Sequence, residues 1–243
     1  MLLIMKPVIL MTGHTMPELA ARRGDYDTWY ARACGVTVDR FHVVDAVGGA
    51  PLPNPNSIDA LIVSGSPHCV KNYDDWSVKA GEFMKTAVSA GVPTLGICYG
   101  QQLLADELGG VVGVNPNGRE IGVSLVRQYG QDALFDGLAS EFTVIQTHVD
   151  AVLEAPQSTT VIAGNANTAN QAMRVRQRVR TVQWHPEFDI DIIAHYLDAR
   201  AEQIDSELGA GAAKLFKDRL EPVSSGTVIM DNFFAHIVGR SLR

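Results

Sequence analysis

Between Val92 and Gly110 the chain reads VPTLGICYGQQLLADELGG: a short apolar stretch, a cysteine between two near glycines, then a helical pattern. That order admits little besides a buried strand passing through a tight turn into a helix, with Cys98 on the turn. Gly96 and Gly100 let the backbone bend sharply and hold one reactive atom clear of a sheet, the mechanical arrangement of a strand-to-helix nucleophile turn. A helix starting just after Cys98 places partial positive charge beside the sulfur and favours a thiolate. The plain alternative is a buried cysteine packed as a small hydrophobe.

The surrounding chain repeats the strand and helix rhythm. KPVILMTG is a buried-strand pattern ending in glycine, with MLLIMKPVILM as its lead-in, and DYDTWYARACG is a short helix closed by Gly35. VTVDRFHVVD reads as a second strand, DALIVSGSP as a third that stops at a turn, DDWSVKAGEFMKTAVSAG as a helix, and VPTLGIC as a fourth strand. This alternation predicts a parallel sheet covered on both faces, with ligands bound beyond the carboxyl ends of the strands, where Gly65 and Cys98 fall. After Gly110 the pattern changes to VVGV, EIGVSLVRQ, FTVIQTH, TTVIAGN, QAMRVR and VRTVQWHPE, short strands that predict a mixed or antiparallel addition. DIDIIAHYLDARAEQIDSELG, GAAKLFKDRL and GTVIMDNFFAHIVGR restore helices. With 243 residues, no repeat and no low-complexity linker, the expectation is a single domain.

Composition narrows the function classes. A formal net charge of −7 argues against nucleic acid as a standing partner, because phosphate backbones are held by clustered cations. The one dense basic segment, MRVRQRVR, reads as two hairpin strands with solvated outward faces. Three cysteines without a repeating spacing make neither a disulfide scaffold nor a zinc site, and point to a reducing, cytoplasmic compartment. Lys6 and Pro7 interrupt the apolar opening, no signal-peptide pattern surrounds it, and no apolar run is long enough for a membrane span.

A thiolate nucleophile needs an imidazole to carry protons and a third group to orient it. VQWHPEFD supplies His185 at a strand end, with Glu187 two residues on and Pro186 stiffening the link. IQTHVDAV supplies the rival base His148, with Asp150 as its orienter. Either histidine alone is as readily a satisfied polar residue at a loop.

GICYGQQ taken with WHPEF resembles the class I, or triad-type, glutamine amidotransferases, and within them the stand-alone relatives of the GMP synthetase glutaminase domain. LIVSGSPHCVKNYDDW and QTHVDAV resemble that family's intermediate motifs in order and position, so the likeness covers roughly residues 5 to 200. It implies an α/β, flavodoxin-like three-layer sandwich, mainly parallel with a small mixed or antiparallel addition. It also implies Cys98 as nucleophile, His185 as base and acid, Glu187 as the third triad member, and backbone amides of Gly65 and Tyr99 as the oxyanion hole. Gln102, Ser64 and His148 become the substrate-binding candidates. The implied reaction hydrolyses a γ-glutamyl amide through a cysteine thioester to glutamate and ammonia, with no metal and no cofactor.

The likeness has limits. Ser66 stands where relatives carry a second glycine, followed by His68 and Cys69, which puts substrate specificity in question; Cys69 itself reads as a packed side chain. No G-x-x-x-x-G-K-[ST] loop is present, so the ammonia acceptor would be a separate ATP-dependent synthase subunit. Otherwise the chain hydrolyses glutamine or another γ-glutamyl compound on its own, as a γ-glutamyl peptide hydrolase would, or serves as a non-catalytic binding or regulatory protein on the same fold. A related cysteine peptidase is a further alternative, against which Glu187 argues. Residues 201–243 form a helical extension beyond the family-like core of residues 1–200. Its apolar residues Leu215, Leu220, Ile229, Phe233, Phe234 and Ile237 are expected to cover the core, with the phenylalanine helix the place to look for a homo-oligomer contact.

Overall fold

PVILM, ALIV and TLGI are apolar at nearly every position because each forms a central strand covered on both faces. In the computed structural model, which describes residues 5–242, the elements in chain order are β1 (Pro7–Met11), α1 (Pro17–Arg23), α2 (Tyr26–Ala33), β2 (His42–Asp45), β3 (Ala60–Val63), α3 (Asp75–Ser89), β4 (Thr94–Ile97) and α4 (Tyr99–Glu107). There follow β5 (Val111–Val114), β6 (Glu120–Gln128), β7 (Glu141–His148), β8 (Asp150–Glu154), β9 (Thr160–Gly164), β10 (Ala172–Arg176), β11 (Val179–Val182), α5 (Ile190–Ala199), α6 (Ala201–Leu208), α7 (Ala212–Asp218) and α8 (Ser225–Asn232), with a π-helical turn at Phe233–Val238. Met1 to Ile4 of the expected lead-in lie outside the described residues.

Nine strands form one sheet in the order β2-β1-β3-β4-β11-β10-β9-β6-β7, and β5 pairs with β8 apart from it. The first five strands pair in parallel and the remaining pairings are antiparallel. The expectation of a mainly parallel sheet is therefore corrected to an α/β sandwich with a mixed sheet. The antiparallel strands join the edge of β11 directly, so they extend the same sheet and weigh equally in it.

Alternation along the strands divides the interior into two layers. Ile9, Ile62, Leu95 and Ile97 face one apolar cluster with Trp29 of α2, Ile193 of α5 and Ile229 of α8. Val8, Leu61 and Val63 face the other, with Met84 of α3 and Leu104 of α4. Ile229, Phe233, Phe234 and Ile237 are buried in the first cluster, as their spacing predicts, while Leu215 is exposed and Leu220 is partly buried against the cluster. The phenylalanines thus face the interior and offer no surface to a second copy.

Several local expectations change. VTVDRFHVVD is a strand only from His42, because Val38–Arg40 form a 3-10 turn. MRVRQRVR does form the β10–β11 hairpin, but Arg180 is buried and donates from Nε to Asp132 Oδ1 at 2.8 Å. A buried guanidinium needs that carboxylate, and removal of either partner would strand the other's charge. The long helix expected from Asp189 onward breaks at Arg200 into α5 and α6. Among the described residues no helix is long and apolar enough to cross a membrane.

Candidate active site

Register assembles the site. Val63 of β3 lies opposite Gly96 of β4, and Ile97 lies opposite Val182 of β11, all in parallel pairing. The residues just past these neighbouring carboxyl ends are Gly65, Cys98 and the segment leading to His185, so three distant stretches of chain meet at one edge. The Cys98 amide donates to Val182 O at 2.7 Å, and the His185 amide to Ile145 O at 2.9 Å, which pins both turns to the sheet.

The cysteine turn is tight in the physical sense. Cys98 has φ 51° and ψ −101°, one of two described non-glycine residues with positive φ. A non-glycine residue is held there only when the surroundings over-determine it. A Cβ at Gly96 would lie 2.8 Å from Gly100 O, and one at Gly100 would lie 2.7 Å from Val63 O. Both flanking glycines are therefore required by close backbone approach. The first turn of α4 starts at Tyr99; the amides of Gln101 and Gln102 already donate to Cys98 O, while Tyr99's phenol pairs with Ser77 Oγ at 2.5 Å.

His185 is buried, and its Nδ1 lies 2.7 Å from Glu187 Oε1. Phe188 stacks on the imidazole with ring centroids 4.2 Å apart, and Tyr26 stacks on it at 6.4 Å. Burial works against charge on this ring, but the Glu187 carboxylate, and after it the Cys98 sulfur within hydrogen-bonding reach, outweigh that and raise its pKa to about 10. The arrangement can hold an imidazolium between a sulfur and a carboxylate and return its proton to a departing group.

Tyr30 was not singled out by sequence. Its hydroxyl lies beside both the Glu187 carboxylate and the Gly65 amide, and burial, followed by the negative charge of Glu187, pushes its pKa well above the usual phenol value. Gly65 itself packs on the imidazole: a Cβ there would sit 2.6 Å from His185 Cε1. Gly65→Ala is accordingly expected to displace the ring and lower turnover at least about tenfold, since small misplacements at a reacting centre cost that much or more. Steady-state rates beside melting curves would check this; an unchanged rate would mean that the ring has room to move.

Cys98 and His185 open into a cleft of about 300 Å³ also lined by Ser66, Pro67, Cys69, Gln102, His148 and Asp150. From the turn after β3 it is thus Ser66 and Pro67 that form the wall. Gln102 reaches the cleft but spends its Nε2 on Asp150 O at 2.8 Å and Gln183 Oε1 at 3.2 Å. Ser64, expected at the substrate, is instead fully buried, its hydroxyl accepting from the Thr12 amide and donating to Gly65 O. One residue before the turn, it still follows the strand's inward direction.

His148 also lines the cleft, with its Nε2 3.3 Å from Glu120 Oε2 and its Nδ1 3.1 Å from the Asp150 backbone carbonyl. The expected Asp150 carboxylate is not its orienter; that carboxylate accepts from the Cys69 thiol. Glu120 in turn accepts from Gln146, Asn165, Thr168 and Gln171. Burial alone would raise the Glu120 pKa, but His148 and these donors outweigh it and lower it.

Residues 28–197 match the family described as Glutamine amidotransferase class-I. The chain is 40% identical over 144 residues to the GMP synthase [glutamine-hydrolyzing] of Aeropyrum pernix, covering 59% of this chain and 26% of that protein. It is 31% identical over 189 residues to the protein of the same name from Streptococcus thermophilus, covering 76% and 33%. The chain thus spans about a quarter to a third of the length of these curated relatives. Among solved structures it is similar to a glutamine amidotransferase from Thermotoga maritima, with TM-score 0.71, 18% identity and coverage of 97% and 98%. A glutamine amido transferase from Methylobacillus flagellatus gives TM-score 0.71, 17% identity and coverage of 95% and 94%. At these identities the two structures speak to the fold alone.

Proposed function

Because the chain belongs to the class I glutamine amidotransferase family, we propose that it hydrolyses a γ-glutamyl amide, glutamine in the first instance, through a thioester on Cys98. The observation that carries this reading is the meeting of Cys98, on its positive-φ turn, with a His185 held by Glu187 at 2.7 Å. The Cys98 thiolate attacks the γ-carbonyl carbon, and the oxyanion is held by the Tyr99 amide at the start of α4 and by the amide of Gly65 in the turn after β3. His185 donates its proton to the departing nitrogen, then activates the water that releases glutamate. Glu187 orients the ring and stabilises its charge. Gln102 and His148 border the substrate from the cleft wall.

Further features support the rest of the reading. Counted among themselves, the parallel strands run 2-1-3-4-5, the order of a flavodoxin-like core. Residues 1–200 would be that core and 201–243 a helical addition within the same domain, supported by Gly226 of α8, whose backbone packs directly on Pro186 between His185 and Glu187. Ammonia released here would pass to water or to a separate ATP-dependent synthase subunit in the cytoplasm.

The test is release of glutamate and ammonia from glutamine by the purified chain. Stoichiometric release, stopped by alkylation of Cys98, is the expected result. A folded chain that neither turns over glutamine nor is protected from alkylation by it would overturn the reading.

A further inference from the structure

Two arginines line the cleft, and they are held differently. Arg119 is already engaged: its Nε and Nη2 lie 2.7 and 3.0 Å from the two carboxylate oxygens of Glu207 on α6. Arg200, at the break between α5 and α6, donates from Nη1 to Thr147 Oγ1 at 3.2 Å and lies over the Tyr196 ring at 4.9 Å. Among the described residues no carboxylate pairs with it. A half-buried guanidinium fixed by a hydroxyl and an aromatic face at the wall of a cleft offers the planar fork that recognises a carboxylate.

The family is described by glutamine, so recognition of the γ-glutamyl unit is assigned to the stretch that matches it, and that match ends at Leu197. Arg200 and Gln203, which both line the cleft, come after it. They add a cation and an amide to the cleft from outside the matched stretch. Resting on the hydrolytic reading above, we propose that Arg200 selects γ-glutamyl compounds whose leaving amine carries a carboxylate, that is, γ-glutamyl amino acids or peptides.

The chemistry is that of glutamine with a different leaving group. The Cys98 sulfur bonds to the γ-carbonyl carbon, the C–N bond breaks, and the nitrogen takes a proton from His185 to leave as the free amino acid. Water then adds to the thioester carbon, the C–S bond breaks, and glutamate departs while the proton returns to the Cys98–His185 pair. No oxidant or co-reactant is needed.

Binding is read in the Cys98→Ala variant, which holds a substrate without turning it over, with γ-glutamylglycine and its neutral counterpart γ-glutamylglycinamide as calorimetric probes. The acid should bind about tenfold or more tightly than the amide, the size expected of one charge-assisted hydrogen-bonded pair. Adding Arg200→Met should collapse that ratio to near one, and Arg200→Lys should restore part of it, with melting curves confirming that each variant is folded. Equal affinities in Cys98→Ala, a ratio that survives Arg200→Met, or no binding of either probe would overturn the proposal. Turnover by the parent chain separates the two readings. Selective binding through Arg200 without release of glycine, or of ammonia from glutamine, would overturn the hydrolytic chemistry and leave the recognition standing.

Discussion

Cys98→Ala should reduce γ-glutamyl hydrolysis by about a thousandfold or more, because Cys98, and not the Cys69 thiol that also lines the cleft, lies within hydrogen-bonding reach of His185. The stability effect should be small, since alanine keeps the Cβ and the same strained backbone. Cys98→Gly should be equally inactive but more stable than Cys98→Ala. At φ 51° and ψ −101° a Cβ costs on the order of 1–3 kcal/mol, whereas glycine gives back about 1 kcal/mol or less in unfolded-chain entropy. The difference, up to about 2 kcal/mol, corresponds to a rise of a few degrees in melting temperature for a chain of this size. Paired melting curves and activity assays read both effects. Retained turnover in either variant would remove Cys98 from its role. A glycine variant that melts below the alanine one would mean that the turn stores no strain.

That strain was legible only indirectly. The glycines flanking Cys98 announced a sharp turn, and the apolar runs ending in Gly65 and Cys98 announced parallel strands with a site at their carboxyl ends. These signals are local, and local signals survive in a single sequence. What failed depended on long-range partners. Arg180 alternates like a solvated strand residue, yet Asp132, 48 positions earlier, draws it inside. The balance between parallel and antiparallel pairing hinged on β11 joining β4, which attaches the β10–β11 hairpin and the strands beyond it to the parallel core, and no periodicity encodes that. Helix α1 carries three charged residues in seven and has only Pro17 at its start to mark it.

The site divides the same way. That Cys98, His185 and Glu187 come together was legible because a thiol nucleophile calls for those residue types and two of them lie two positions apart in sequence. Tyr30 could not, because α2 reads as an ordinary buried aromatic helix until the fold brings its hydroxyl beside Glu187. Arg200 was hidden by an apparently continuous helix; only the break after Ala199 carries it into the cleft. Ser64, a candidate only through the family resemblance, has its hydroxyl engaged inside the protein by the Thr12 amide and Gly65 O.

The second large effect distinguishes the base from its orienter. His185→Ala should lower the rate by about a thousandfold, within the range expected of a general acid and base. Glu187→Gln should lower it by about ten to a hundredfold, because an amide can still hold the ring while no longer stabilising its charge. Equal losses would give Glu187 a part in the chemistry itself, and no loss would move the orienting role elsewhere. The same pair fixes a pH dependence. The folded-state pKa of His185 is about 10 against an ordinary value of 6.5, with burial opposed and exceeded by the Glu187 charge, so the folded chain holds a proton that the unfolded chain releases between those values. The stabilisation from this proton is fully present below about pH 6.5 and is lost as pH rises through about 10. Glu187→Gln removes the leading cause of the raised pKa, so its stability should fall less across that window than the parent's. Denaturation curves at pH 6, 8 and 10 for the two proteins should therefore converge as pH rises, and parallel curves would show that His185 does not carry its proton into the resting site.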